Sequence, residues 1–295
     1  MSDKALKILA FFVGAIMAVM VVFNTMLGTR TTNEVSITVN QIVSVIVLSF
    51  ILLAFRKQPL VRPKAGKVPW YLRFGGLFGL VVMACNYFSV LGTGTTVAMA
   101  ATVFGQCLVG LLFDVTGAMG MKKRPVTRRK VLSLLVSFIG IVVMIVFSKE
   151  TFSLAYVLIA AQAGAVCMVQ LVYNSFLSTM KGPFYSALSN AVSGLIGILL
   201  FSFLFKTPAT IAGFKALLSV PFPIIVGGGL LALTVVVLSN TLIPKIPGAV
   251  SSLLMAAGQI LAGIPLDWFL FARFYPSLLI GSVVMVLGLL LDREA

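Results

Sequence analysis

An amide and a carboxylate recur together twice in this sequence, in GQxxxGxxxD at Gly105, Gln106, Gly110 and Asp114 and again at Gly258, Gln259, Gly263 and Asp267. Both copies lie in long apolar runs. On a helix, residues spaced i, i+4, i+8 share a stripe about 80° wide. Along such a stripe the glycine lets a neighbouring backbone approach, and the glutamine can donate and accept hydrogen bonds toward a helix or a solute. A carboxylate at membrane depth faces a cavity or takes up a proton. Asp114 and Asp267 are therefore candidates for proton coupling or for attracting a cationic solute. Asp114 is also roughly the twentieth residue of its run, about one hydrocarbon thickness along it, so hydration near a membrane face is the competing reading.

Asn24 with Asn40, and Asn174 with Asn190, form a second polar set, one member on each of two successive apolar runs. Intramembrane amides are hydrogen-bonded somewhere, so these four either link helices or face a solute. Gln170, Tyr173 and Asn174 share a helical face, and an aromatic ring beside amides suits a small amphipathic or cationic solute. Asn86, Tyr87, Gln162 and Asn240 are further polar residues in apolar runs. Cys85, Cys107 and Cys167 are isolated and histidine is absent, so metal sites, haem and disulfides are not expected, and no cofactor is implied.

The elements that must position these groups are apolar helices. Of 295 residues, 60% are hydrophobic and only 10% charged, against about 25% charged in soluble domains. The excess apolar surface needs lipid. Stretches of about 20 apolar residues can cross the hydrocarbon layer. Ten are expected: Ile8–Leu27, Ser36–Phe55, Arg73–Leu91, Thr95–Asp114, Leu132–Phe147, Leu154–Leu177, Tyr185–Phe205, Phe222–Ile243, Ala249–Phe271 and Pro276–Leu291. Gly92–Gly94 is expected to turn between the third and fourth. The first run reads as an uncleaved helix instead of a signal peptide.

The formal charge of +15 would suggest nucleic acid in a soluble protein, but its distribution gives a different answer. With ten crossings and an inside N-terminus, seventeen Lys and Arg fall on one side and five on the other. This positive-inside asymmetry assigns both termini to the cytoplasm of a plasma (inner) membrane protein. The basic loops Arg56–Arg73 and Lys122–Lys130 then face anionic lipid. Nucleic acid is not an expected partner.

The chain also repeats itself. A shift of 150 superposes Gly14 on Gly164, Asn24 on Asn174, Ser36 on Ser186 and Asn40 on Asn190, and a shift of 153 aligns Gly76 with Gly229 and the two GQxxxGxxxD copies. Residues 1–149 and 150–295 each hold five expected spans. An odd number of crossings forces the second half to enter from the opposite side. The expected fold is thus an all-α integral membrane protein of ten transmembrane helices in two inverted five-helix repeats. Such a plan recurs in secondary transporters, where a midplane site opens first to one side and then to the other.

The segment GQCLVGLLFDVTGAMGMKKRPVTRRK, residues 105–130, resembles the YdcZ-like branch of the drug/metabolite transporter superfamily, with two five-helix units fused. The resemblance implies a ten-helix bundle related to EamA-type transporters, with a central cavity and transport of small metabolites or toxic compounds. The second copy departs after Asp267, where WFLFARFYP replaces the glycine turn and basic loop. The expected activity is alternating-access transport of a small organic solute. Expected contacts are Gln106, Gln259, Asn24, Asn174, Asn40, Asn190 and Tyr173. A channel or lipid-flipping subunit is the first alternative. A membrane enzyme is the weaker one, because no acid-base pair, His dyad or metal cluster is in evidence. Beyond solute and bilayer, a second copy of the chain is a candidate partner.

Overall fold

The computed structural model describes residues 3–55, 68–147, 154–271 and 276–291. Among them every regular element is helical. These are α1 (Asp3–Arg30), α2 (Asn33–Ala54), α3 (Gly75–Thr116), α4 (Arg128–Val146), α5 (Leu154–Lys181), α6 (Pro183–Phe205), α7 (Thr207–Ala216), α8 (Phe222–Leu242), α9 (Gly248–Phe271) and α10 (Pro276–Leu291). Seven helical segments among the described residues are long and apolar enough to cross a membrane. Large apolar side chains point outward, Phe203 at 75% and Leu218 at 93% exposure. In water such surfaces would drive association, whereas lipid accepts them. Most of the basic loop expected at Arg56–Arg73 lies outside the described residues, which omit 56–67.

Local chemistry sets several boundaries. The Thr32 hydroxyl accepts the Val35 N–H at 3.3 Å and starts α2. Pro183 opens α6, where its missing N–H is not needed. Gly117, at φ 66°, ends α3 and donates its N–H to the Phe113 carbonyl at 2.8 Å. That left-handed conformation favours glycine, and the stop leaves Asp114 in the last turn of α3.

Two elements differ from the ten expected spans. The Gly92–Gly94 turn is not formed. Instead, α3 runs unbroken for 42 residues, about 63 Å at 1.5 Å per residue. A methyl group at Gly92 would overlap the Tyr156 ring of α5, so this glycine serves a close approach. The helix continues because a turn in apolar surroundings would leave backbone groups unpaired. The second difference is α7, a ten-residue helix with proline in its first turn, where the sequence reads as a connection.

The chain forms two compact units, and each draws on both halves of the sequence. Unit 1 comprises residues 1–15, 81–172 and 242–295. Its core joins Ala100, Val103 and Cys107 of α3 to Ile141 of α4 and Leu253 and Ala257 of α9. Two glycine crossings organise it. A methyl at Gly105 would overlap the Ala161 carbonyl of α5, and one at Gly164 the Thr102 carbonyl of α3. Likewise, a methyl at Gly258 would overlap the Phe11 carbonyl of α1, and one at Gly14 the Met255 carbonyl of α9. These four contacts are the same two contacts repeated: Gly14 and Phe11 shift by 150 onto Gly164 and Ala161, and Gly105 and Thr102 shift by 153 onto Gly258 and Met255. Each half supplies one partner to the other. The last helices of the two halves, α4 and α10, also pack together, with Gly288 against Ser133 and Ser137.

Unit 2 comprises residues 16–80 and 173–241. The equivalent second helices, α2 and α6, pack against each other. Leu27, Val35, Val39 and Val220 form its buried apolar cluster.

Candidate functional site

In unit 2 the four asparagines form two matched pairs. Asn40 donates from Nδ2 to Asn24 Oδ1 at 2.7 Å, and Asn174 donates from Nδ2 to Asn190 Oδ1 at 2.8 Å. Each pair is steadied by an equivalent serine: Ser36 donates to the Asn24 carbonyl at 3.0 Å, and Ser186 to the Asn174 carbonyl at 2.5 Å. Glycines bring the facing helices close. A methyl at Gly228 of α8 would overlap Asn24 Oδ1, and one at Gly75 of α3 would overlap Asn174 Oδ1. No larger residue could sit there without displacing an amide.

The second member of each pair, Asn40 and Asn190, lines one cavity of about 70 Å³ together with Gln41 and Ser44 of α2 and apolar side chains of α6 and α8. Both asparagines are 8% exposed. Asn40 Oδ1 is buried without a hydrogen-bond partner among the described residues. That oxygen faces Gly228, where an added methyl would lie 2.9 Å from it, and a buried unpaired acceptor costs about 1–3 kcal/mol. Among the described residues, no charged side chain lines the cavity.

Asn24 and Asn174 are held beneath Asn40 and Asn190 and do not line the cavity. Tyr173 is also in unit 2 but outside the lining. Its hydroxyl donates to the Tyr71 carbonyl, and its ring packs edge-on to Phe78 at 5.3 Å between centroids. Gln41 and Ser44 escaped the sequence reading because both lack a polar counterpart: Gln41 shifts by 150 onto Ala191, and Ser44 onto Gly194. The structure shows the complementarity. A methyl at Gly194 would lie 2.8 Å from Gln41 Nε2, so the larger side chain of one half fills the room left by the glycine of the other. An amide in the middle of an apolar run, next to Asn40, was the available signal.

Gln106 and Gln259 belong to unit 1, at the glycine crossings. Gln106 is half-buried and its amide is a hydrogen-bond partner of the Cys167 thiol. Asp114, in the same unit, is fully buried. Its Oδ1 accepts the Gly248 N–H at 2.7 Å and its Oδ2 the Ala249 N–H at 3.3 Å. These are the first two residues of α9, so the carboxylate caps that helix, where its charge also suits the positive end of the helix dipole. Asp114 is therefore not hydrated at a membrane face. Gly110, one turn earlier, makes room for the cap: a methyl there would lie 2.7 Å from the Ala249 nitrogen. The second motif copy differs, since among the described residues nothing lies within 4 Å of a methyl added at Gly263. The side chain of Asp267, like that of Tyr87, lies outside the described residues.

A family model described as "Putative inner membrane exporter, YdcZ" matches residues 5–143 and again residues 155–291. The chain belongs to the YdcZ family. Each match takes one half of the sequence, so the repeat seen at shifts of 150 and 153 is a YdcZ unit present twice. Membership supports a multi-pass membrane transporter rather than an enzyme. No curated protein matches this YdcZ-family sequence. A solved structure titled "Crystal structure of protein" is similar over 99% of this chain and 98% of its own, with a TM-score of 0.69 and 16% identity. That likeness is one of fold.

Proposed function

We propose that this YdcZ-family protein exports a small, uncharged polar solute by alternating access, with Asn40, Gln41, Ser44 and Asn190 at its binding site. The observation that carries this reading is that two repeat-equivalent asparagines, Asn40 and Asn190, line one cavity together with Gln41 and Ser44. A charged solute would find no counter-charge in the lining, and burying it unpaired is strongly unfavourable. A cavity of about 70 Å³ is well below the roughly 300 Å³ of small-molecule sites, so it is a contracted form that must widen to load. The family description supports the outward direction.

The test begins with a thermal-shift screen of purified protein against amines, amino acids, nucleosides and sugars. Counterflow of the best labelled solute in proteoliposomes follows. Asn40→Ala and Asn190→Ala are each expected to lower kcat/KM for transport by about 5- to 100-fold, the range for removing one buried hydrogen-bonding group. Exposed Gln162→Ala is the control expected to leave transport unchanged. Full counterflow in both asparagine variants would remove the cavity from the reading, and ohmic single-channel currents would replace the carrier with a channel.

In the same reading, residues 1–149 and 150–295 are inverted repeats crossing ten times, with both termini in the cytoplasm. The charge asymmetry supports it, and it requires α3 to open near Gly92–Gly94 so that its two parts cross separately. Thr93 reports on this directly. In the continuous helix it is fully buried and its hydroxyl donates to the Ser89 carbonyl at 2.9 Å. In a chain otherwise free of cysteine, Thr93→Cys is expected to react with a membrane-impermeant maleimide added outside. Protection from both sides would mean that α3 stays whole.

A further inference from the structure

A second cavity, in unit 1, plays no part in the proposed transport. It has a volume of about 240 Å³ and is lined entirely by apolar and thiol-bearing residues, including Leu108 and Leu111 of α3, Val131, Leu135 and Phe138 of α4, and Leu253 of α9. It is open on its outer side, where Leu108, Leu135 and Val131 are 52%, 54% and 42% exposed. The groove follows α4 from Val131 to Ile141, ten residues or about 15 Å. That length equals the depth of one leaflet, half of the roughly 30 Å hydrocarbon layer.

One end of the groove is strongly basic. Arg128 lies three residues before Val131 and seven before Leu135, so it continues the same helical stripe past the mouth. Lys122, Lys123 and Arg129 lie in or beside the segment that leads into α4, and all four cations are exposed. None has an acidic partner among the described residues. Arg124, by contrast, is engaged with the Lys245 carbonyl at 3.2 Å. An apolar slot one leaflet deep, ending in unpaired positive charge, is complementary to one ligand class.

We propose that this groove holds an anionic phospholipid, with an acyl chain along α3 and α4 and the phosphate among Arg128, Lys122 and Lys123. Basic pockets beside membrane helices bind anionic headgroups in this way, and the apolar slot selects a lipid over a free phosphate ion. The site is separate from the amide-lined cavity, so it stands or falls independently of the proposed solute.

The test uses the full chain carrying Trp70→Phe and Trp268→Phe, with Phe138→Trp as a reporter inside the groove. The protein is reconstituted in phosphatidylcholine bilayers containing equal mole fractions of either brominated phosphatidylglycerol or brominated phosphatidylcholine. Quenching is expected to favour the anionic lipid by at least about fivefold, the effect of one cation near a membrane surface. The preference should collapse toward unity in Lys122→Gln/Lys123→Gln/Arg128→Gln. Leu135→Trp, at the exposed edge, replaces Phe138→Trp if that variant does not fold. Free inorganic phosphate should not compete. Equal quenching by the two lipids, a preference that survives loss of the three cations, or displacement by phosphate alone would each overturn the proposal.

Discussion

Gly105→Ala is expected to destabilise the protein by about 1–3 kcal/mol, the cost of forcing volume into a closed contact, and Gly105→Val by more. The added methyl would overlap the Ala161 carbonyl and lie 3.0 Å from the Ala165 nitrogen. Both obstacles are backbone, so no rotamer change relieves them, and α3 and α5 must move apart. The reciprocal contact at Gly164 would open with it, because that glycine faces the Thr102 carbonyl and the Gln106 nitrogen across the same crossing. Gly258→Ala should behave alike through Phe11 and Ala15 of α1, being the same contact in the other half. The matched control is Gly263→Ala. It repeats Gly110 in the motif but has open space around it among the described residues, so no loss is expected, and the gain in helix propensity favours it slightly. Thermal unfolding in detergent, followed by aggregation or fluorescence, separates the two groups. If Gly105→Ala and Gly263→Ala melted together, the crossing would not hold unit 1 as described.

Asp114→Ala is expected to loosen the start of α9 at a cost of about 1–3 kcal/mol for each N–H left buried without an acceptor. Asp114→Asn should fall between the alanine variant and the unsubstituted protein. Its carbonyl oxygen can still accept the Gly248 N–H, but its amide nitrogen meets the Ala249 N–H donor to donor. The two variants also separate capping from proton coupling. A cap that survives in part leaves pH-driven uptake in proteoliposomes near its original dependence in Asp114→Asn. A proton carrier cannot work as an amide, so loss of pH-driven uptake in Asp114→Asn, with its unfolding temperature little changed, would return Asp114 to the coupling role. Combining it with Asp267→Asn extends the same test to the second motif copy.

The asparagine pairs show how far residue types alone can lead. Matched amides at Asn24, Asn40, Asn174 and Asn190 announce that two helices in each half are tied together. They do not say which members face a cavity, because that depends on helix rotation. Asn40 and Asn190 line one cavity because α2 and α6 pack on each other, whereas Asn24 and Asn174 are the side chains nearest Gly228 and Gly75. Gln41 became visible only with Gly194 packed against it.

Asp114 makes the same point about depth and role. Its burial in an apolar run suggested chemistry, and counting residues along the run suggested a wet exit. Neither reading could find two N–H donors 134 and 135 residues further on. The Gly92–Gly94 pair is the converse case, since a turn signal is only a permission, and continuous hydrogen bonding with a ring packed against Gly92 overrode it.

The sequence by itself determined that this protein is helical, lives in lipid, is built twice from one unit and belongs with YdcZ transporters. These properties follow from hydrophobicity, charge placement and residue identity at fixed spacing, all of which are additive along the chain. Only the tertiary structure decided that the GQ glycines are contacts exchanged between the halves, that Asp114 fastens α9, and that two of the four paired asparagines line a cavity. Those outcomes depend on which helix faces which, a non-local choice made by close packing between segments more than fifty residues apart.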